Sequence, residues 1–92
     1  MIQRDKGVLT YPSGRVRLKG DALGRLRQEC ANRDDWRCRE CLHRVDDSLP
    51  DWHPWKYHMA HIISRGAGGS DSLENVRTLC GSCHMKEHAG RL

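Results

Sequence analysis

The sequence predicts a small α+β domain stapled by a metal ion, and three observations carry that expectation. The chain has 92 residues, 37% of them apolar, with no Phe and a mean hydropathy of -0.79. It can bury only one thin core, so a disulfide or a structural metal has to supplement it. Four of the five cysteines fall in two pairs, Cys38-x-x-Cys41 and Cys80-x-x-Cys83, with residues 42–79 between them. Finally, stretches of period two and one stretch of period 3.6 are interspersed along the chain, so short strands and helices should share that core.

Taken in order, residues 8–18, VLTYPSGRVRL, read as two short strands around Pro12-Ser13-Gly14, with Val16 and Leu18 alternating against Arg15 and Arg17. From Asp21, read as an N-cap, Leu23, Leu26 and Cys30 recur at i, i+3 and i+7. That is one buried helical stripe, ending near Asn32, and it makes Cys30 a core thiol rather than a fifth ligand. Residues 42–56 are acidic and turn-rich and read as a surface loop, in which Trp52 and Trp55 either cap the core or offer stacking faces to bases. Residues 57–63 read as a strand, 65–72 (RGAGGSDS) as a flexible connection, and 75–79 as a second strand. Gly66, Gly68 and Gly69 are expected to serve backbone turns. A short helix should run from Gly81 or Ser82 to about Ala89, where Gly90 stops it.

The two Cys-x-x-Cys knuckles suit tetrahedral Zn²⁺, with Cys38, Cys41, Cys80 and Cys83 as its thiolates. An ion held this way contributes folding free energy directly. A redox role for either pair fits less well, because neither follows a strand of a βαβ unit. The odd cysteine count and the lack of an apolar leader argue for a reducing, cytoplasmic compartment, and no stretch is long and apolar enough to span a membrane. A formal charge of +4 and a pI near 9.0 are compatible with a polyanionic partner, although such a charge is also an ordinary solvated surface.

With the thiolates assigned, His58, His61, His84 and His88 cluster around the second knuckle. On a helix, His84 and His88 stand at i and i+4, one turn apart on one face, a good arrangement for a shared metal. The knuckle would thus pin a strand pair against a helix that carries two imidazoles.

The stretch HMAHIISRGAGGSDSLENVRTLCGSCHMKEH, residues 58–88, resembles an HNH endonuclease of the ββα-metal, or His-Me finger, type. It has a His-Ile opening on the first strand, a glycine-rich turn, an Asn on the second strand and a Cys-x-x-Cys-His helix start. RDDWRCREC, residues 33–41, is similar to the lead into the first knuckle of zinc-stapled members. The resemblance covers residues 33–88, with the acidic loop as an insertion. On this reading residues 33–92 form the nuclease unit, and residues 1–32, which carry no family signature, are a hairpin and helix packed on it.

The resemblance implies a ββα-metal core and hydrolysis of DNA phosphodiester bonds to 5'-phosphate and 3'-hydroxyl ends. It makes His61 the general base, Asn75 the residue that holds hairpin and base in orientation, and His84 a ligand of a catalytic divalent metal, with His88 at the place of an additional histidine ligand. Small proteins of this kind are common in bacteriophages. A phage packaging or other DNA-processing protein is therefore an expected partner, and the host cytoplasm the expected location. Arg65 either clamps a phosphate oxygen or is an ordinary exposed arginine. Lys86 and Arg91 are solvated charges within reach of a DNA backbone.

The chain departs from the family pattern at Ala60, where family members usually carry an Asp or His that ligates the metal. His58 lies on the same strand face as position 60, roughly 7 Å along, and its longer side chain is a candidate to replace the missing ligand. The alternatives are a water in that position or a weakened site. An all-imidazole set would favour Mn²⁺, Ni²⁺, Co²⁺ or Zn²⁺ over Mg²⁺. Two functions follow: a weakly specific or nicking DNA endonuclease, or a zinc-stabilised nucleic-acid-binding or assembly module with a degenerate nuclease site.

Overall fold

Tyr11 to Gly14 turn the chain back on itself, with the Gly14 amide donating to the Tyr11 carbonyl (2.8 Å) and Gly14 at φ 85°. This turn joins β1 (Val8–Thr10) to β2 (Val16–Leu18), paired antiparallel with Val8 opposite Leu18. The computed structural model describes residues 7–89, so Gly90 and Arg91 lie outside it. Helix α1 spans Asp21–Arg33. Its N-cap is Gly20, at φ 61°, and not the expected Asp21, which is the first helical residue. There the Asp21 carboxylate is set against the partial positive charge of the helix start. Leu26 and Cys30 are buried as the stripe predicts, Ala22 joins them, and Leu23 is half-buried.

β3 (Tyr57–His61) and β4 (Val76–Cys80) pair antiparallel, with Tyr57 opposite Cys80 and His61 opposite Val76. β3 stops two residues before the expected end at 63. The physical reason is Asn75, whose side-chain amide takes over the backbone of Ile63. Ile63 N–H donates to Asn75 Oδ1 and Asn75 Nδ2 donates to the Ile63 carbonyl, both at 2.9 Å. Asn75 itself closes a 3-10 turn, Leu73–Asn75, immediately before β4, rather than opening the strand. Helix α2, Gly81–Ala89, follows β4 directly.

The core lies where α1 and α2 pack on the β3–β4 hairpin. Leu79 and Cys80 are fully buried, Tyr57 and Ala60 nearly so, and Cys38, Ala31 and Val45 pack with them. Each fully buried aliphatic side chain of this sort contributes about 1.5–3 kcal/mol. The end of α1 is latched to β4 by polar groups. Arg33 donates to the carbonyls of Leu73 (2.6 Å) and Val76 (2.7 Å), and buried Asp34 accepts the Thr78 amide (3.0 Å).

Residues 42–56 contain no helix or strand, but single bridges, Arg37 to Arg44 and Asp46 to Lys56, tie them down. The two tryptophans of this loop differ. Trp55 stacks on His43 at 3.5 Å and packs against the core, whereas Trp52 is 79% exposed.

Candidate active site

The strand-helix junction at Cys80–Gly81 places the second thiol pair beside the first. The Sγ atoms of Cys38, Cys41, Cys80 and Cys83 all lie within 4.8 Å of one another. Cys41 and Cys80, from different knuckles, are 3.8 Å apart, which is about the edge of a tetrahedron with Zn–S bonds of about 2.3 Å. The Cys83 amide points at Cys80 Sγ (3.3 Å), and the Arg39 amide bonds the Thr78 carbonyl (2.9 Å), tying the first knuckle to β4. Burial alone would raise the Cys38 thiol, but the amides of Cys41, Cys80 and Glu40 bring it down to about 7. Burial and the neighbouring thiols push Cys80 and Cys83 up. One ready thiolate among crowded thiols is a donor set that a cation completes, and these four residues fit a structural metal.

His61, the last residue of β3, directs Nε2 at the carboxylate of Asp71 (2.7 Å). Asp71 has no exposed side-chain surface. It also accepts from Arg65 Nε (2.9 Å), Arg65 Nη2 (2.7 Å) and the Leu18 amide (2.7 Å). Burial would raise this carboxyl, yet the Arg65, Leu18 and His61 hydrogen bonds hold it below the usual carboxylate range. Arg65 opens a 3-10 turn, Arg65–Ala67, capped by the Ser64 hydroxyl. The Asn75 amide reaches the carbonyls of Ile63 and Ser70, both at 2.9 Å, and so closes the neck of the loop that carries Arg65 and Asp71. Gly69 fits under this neck for lack of a Cβ, which would lie 1.8 Å from the Ile63 carbonyl oxygen.

Helix α2 brings its two histidines to β3. His84 Nδ1 lies 3.0 Å from His58 Nδ1, and His84 Nε2 lies 3.1 Å from His88 Nε2. The two contacts use opposite nitrogens of the His84 ring, so a single ion could be shared by all three histidines only after a ring rotation. The three rings form a chain through His84 rather than a cup. Among the described residues, the four cysteines are the one group of this kind whose ligand atoms all fall within 4.8 Å of one another. His58 Nε2 is buried with no hydrogen-bond partner among the described residues. Burial, followed by Arg27, lowers the His58 pKa and favours the neutral ring, the form that ligates a cation. An imidazole donor set of this composition fits a borderline divalent ion.

A cleft of about 250 Å³ brings the two groups together: its lining includes His61 and Arg65 from one and His84, Glu87 and His88 from the other. His58 is not in its lining. Ala60 is 3% exposed, packed in the core behind the cleft.

The model of the family described as HNH endonuclease matches residues 38–90, more than half of the chain. The chain belongs to the HNH endonuclease family. Nuclease activity is thus its family-level function, and the match takes in both knuckles, His61, Asn75, His84 and His88. An HNH assignment also agrees with the α+β architecture and the clustered cysteines. Among curated proteins, the chain is similar to Anaredoxin of Nostoc sp. (strain PCC 7120 / SAG 25.82 / UTEX 2576), 50% identical over 32 residues. That stretch is 35% of this chain and 42% of the relative, so the chain spans less than half of its length. No solved structure matches. Among the described residues, no helix is long and apolar enough to cross a membrane.

Asp71, which holds the His61 ring, and Glu87, which lines the cleft, are the residues the sequence did not single out. Asp71 lies inside RGAGGSDS, where periodicity is silent and an acidic residue reads as solvated turn chemistry. The one available signal was its place just after two glycines, where a chain can fold back on itself. Glu87, between Lys86 and His88, has the pattern of an ordinary solvated helix charge.

Proposed function

We propose that this protein is a metal-dependent endonuclease that hydrolyses DNA phosphodiester bonds, with weak sequence specificity or nicking activity. The observation that supports the reading is the shared cleft, whose lining includes His61, Arg65, His84 and His88. His61 takes the proton of the attacking water, a role suited to an imidazole near neutral pH. His84 and His88, with His58 joining them after a turn of the His84 ring, would hold the catalytic ion, one of Mn²⁺, Ni²⁺, Co²⁺, Zn²⁺ or Mg²⁺. When bound, that ion neutralises charge on the phosphate and on the departing 3' oxygen. Arg65 Nη1 makes no hydrogen bond among the described residues and is the group left to clamp a phosphate oxygen. Asn75 keeps the loop and the end of β3 in register.

Arg33, Arg39 and Arg77 line a groove of about 580 Å³ together with Asp34 and Glu74, which leaves it one net positive charge toward a phosphate backbone. Nothing in the sequence reads as a base-reading element, so targeting falls to a DNA-processing partner protein. In this reading residues 33–92 are the nuclease unit and residues 1–32 its packed extension.

The test is plasmid nicking with the zinc-loaded protein, with and without chelator and added divalent ions, alongside His61→Ala. Metal-dependent cleavage that His61→Ala abolishes is expected. Ala60 favours one other reading, a zinc-stabilised nucleic-acid-binding module with a degenerate nuclease site. DNA binding without cleavage under any ion would establish that alternative.

A further inference from the structure

Among the described residues, the His61 ring hydrogen-bonds to no backbone group. It is held by a buried carboxylate. We infer that Asp71 is the positioning residue of His61, and that the N-terminal hairpin, by holding Asp71, is a working part of the catalytic centre. The inference rests on the nuclease reading above for its catalytic consequence.

The hydrogen-bond inventory of Asp71 carries the argument. An ionised carboxylate only accepts, so every group around it must donate. Arg65 donates from Nε and Nη2, and Leu18 donates its amide. His61 Nε2, at 2.7 Å from Oδ1, must therefore bear a hydrogen. A neutral imidazole with its proton on Nε2 leaves the lone pair on Nδ1. Asp71 thus selects the tautomer in which Nδ1 is the base. In the reaction, one proton passes from water to Nδ1 while the water oxygen bonds to phosphorus and the P–O3' bond breaks, the departing 3' oxygen taking a proton from solvent. The imidazolium so formed keeps its Nε2–H on a carboxylate that stays ionised, and it later returns the Nδ1 proton to solvent. The Arg65 guanidinium offsets the charge of Asp71, which lets the carboxylate be held in the interior.

The second part concerns who holds Asp71. The free edge of β2 grips residues 70 and 71. The Asp71 amide donates to the Val16 carbonyl (2.8 Å), the Val16 amide donates to Ser70 Oγ (3.0 Å), and the Leu18 amide donates to Asp71 Oδ2 (2.7 Å). The family match begins only at residue 38, so this grip is contributed by a part of the chain outside the matched unit. The glycines that precede Asp71 make its loop pliable, and the hairpin removes that freedom.

The test is ¹⁵N NMR of the histidine side chains in the zinc-loaded full chain, together with nicking rates for wild type, Asp71→Asn and Leu18→Pro, the last of which removes the amide donor. Expected results are an Nε2–H tautomer for His61 in wild type, loss of that preference in Asp71→Asn, and a rate about 10- to 100-fold lower, as for outer partners of other functional imidazoles. Leu18→Pro should shift the same resonances and lower the turnover rate more than the apparent DNA affinity. An Nδ1–H tautomer in wild type overturns the proposal and needs no variant to fold. So does a folded Asp71→Asn protein that cuts at the wild-type rate. A wild type that carries the Nε2–H tautomer but cuts no DNA with any ion overturns the nuclease reading and, with it, the catalytic part of this inference.

Discussion

Cys41 and Cys80 reach each other across residues 42–79, their sulfurs 3.8 Å apart. Structural zinc in small domains contributes about 10–16 kcal/mol, as much as the whole stability of an ordinary domain, about 5–15 kcal/mol. Chelation at neutral pH, or Cys80→Ser, is therefore expected to abolish cooperative thermal unfolding. Circular dichroism melts before and after chelation, with zinc added back, would check this.

The chain of rings from His58 through His84 to His88 predicts a graded response of ion affinity. His84→Ala should weaken binding of Mn²⁺ or Ni²⁺ most, because His84 touches both neighbours. His58→Ala and His88→Ala should each cost roughly 10-fold or more. Calorimetric titration of the zinc-loaded protein measures this separately from cleavage, and unchanged affinity in His58→Ala would remove His58 from the ligand set.

Donor chemistry also sets the order of metals. With nitrogen donors predominating, nicking rates with Mn²⁺, Ni²⁺ or Co²⁺ should exceed the rate with Mg²⁺ at equal concentration. Equal rates across the series would argue for a site built mainly of oxygen ligands.

Gly69 supports the loop neck by its lack of a side chain. In Gly69→Ala the new Cβ would meet the Ile63 carbonyl oxygen at 1.8 Å and Asn75 Nδ2 at 2.8 Å. Backbone would have to move, at a cost of about 1–3 kcal/mol. Urea denaturation should show a lower midpoint with little change in slope, and nicking should fall with it because Asp71 and Arg65 ride on the same loop.

Asp34 predicts a share of the acid sensitivity. Burial would raise its carboxyl, but the bonds from Arg33 and Thr78 outweigh burial and hold it below the usual carboxylate range. A carboxyl with a lowered folded-state pKa stabilises the protein fully above the unfolded value. That contribution is lost as pH falls through the folded one. The difference in unfolding free energy between wild type and Asp34→Asn should therefore be constant near neutrality and shrink below about pH 4. A difference that stays flat down to acid pH would show that the Asp34 carboxylate is not linked to folding.

Most of the scaffold was legible because it rests on local pattern. The alternation in residues 8–18, the i, i+3, i+7 stripe through Cys30 and the paired thiols each name their partner or period in the sequence. The boundaries that moved did so where a side chain replaces backbone, as Asn75 does at the end of β3. The candidate site was legible as residue types at family spacing, which gave His61, Asn75, His84 and His88. What could not be read was the third dimension of a loop. Asp71 meets His61, Arg65 and Leu18 only because the glycine run folds back under the hairpin, and no period or spacing encodes that meeting. The linear order of the three histidines is hidden for the same reason, since it depends on ring rotations.

Of the four thiols, Cys38 and Cys80 are buried, Cys83 is half-covered and Cys41 is exposed. The staple therefore has one open corner. Soft ions such as Cu(I), and peroxide-type oxidants, would meet Cys41 first. The working lifetime of so lightly cored a molecule would then be decided by sulfur reactivity at a single surface position, and protecting that position would do more for its durability than any repacking of the interior.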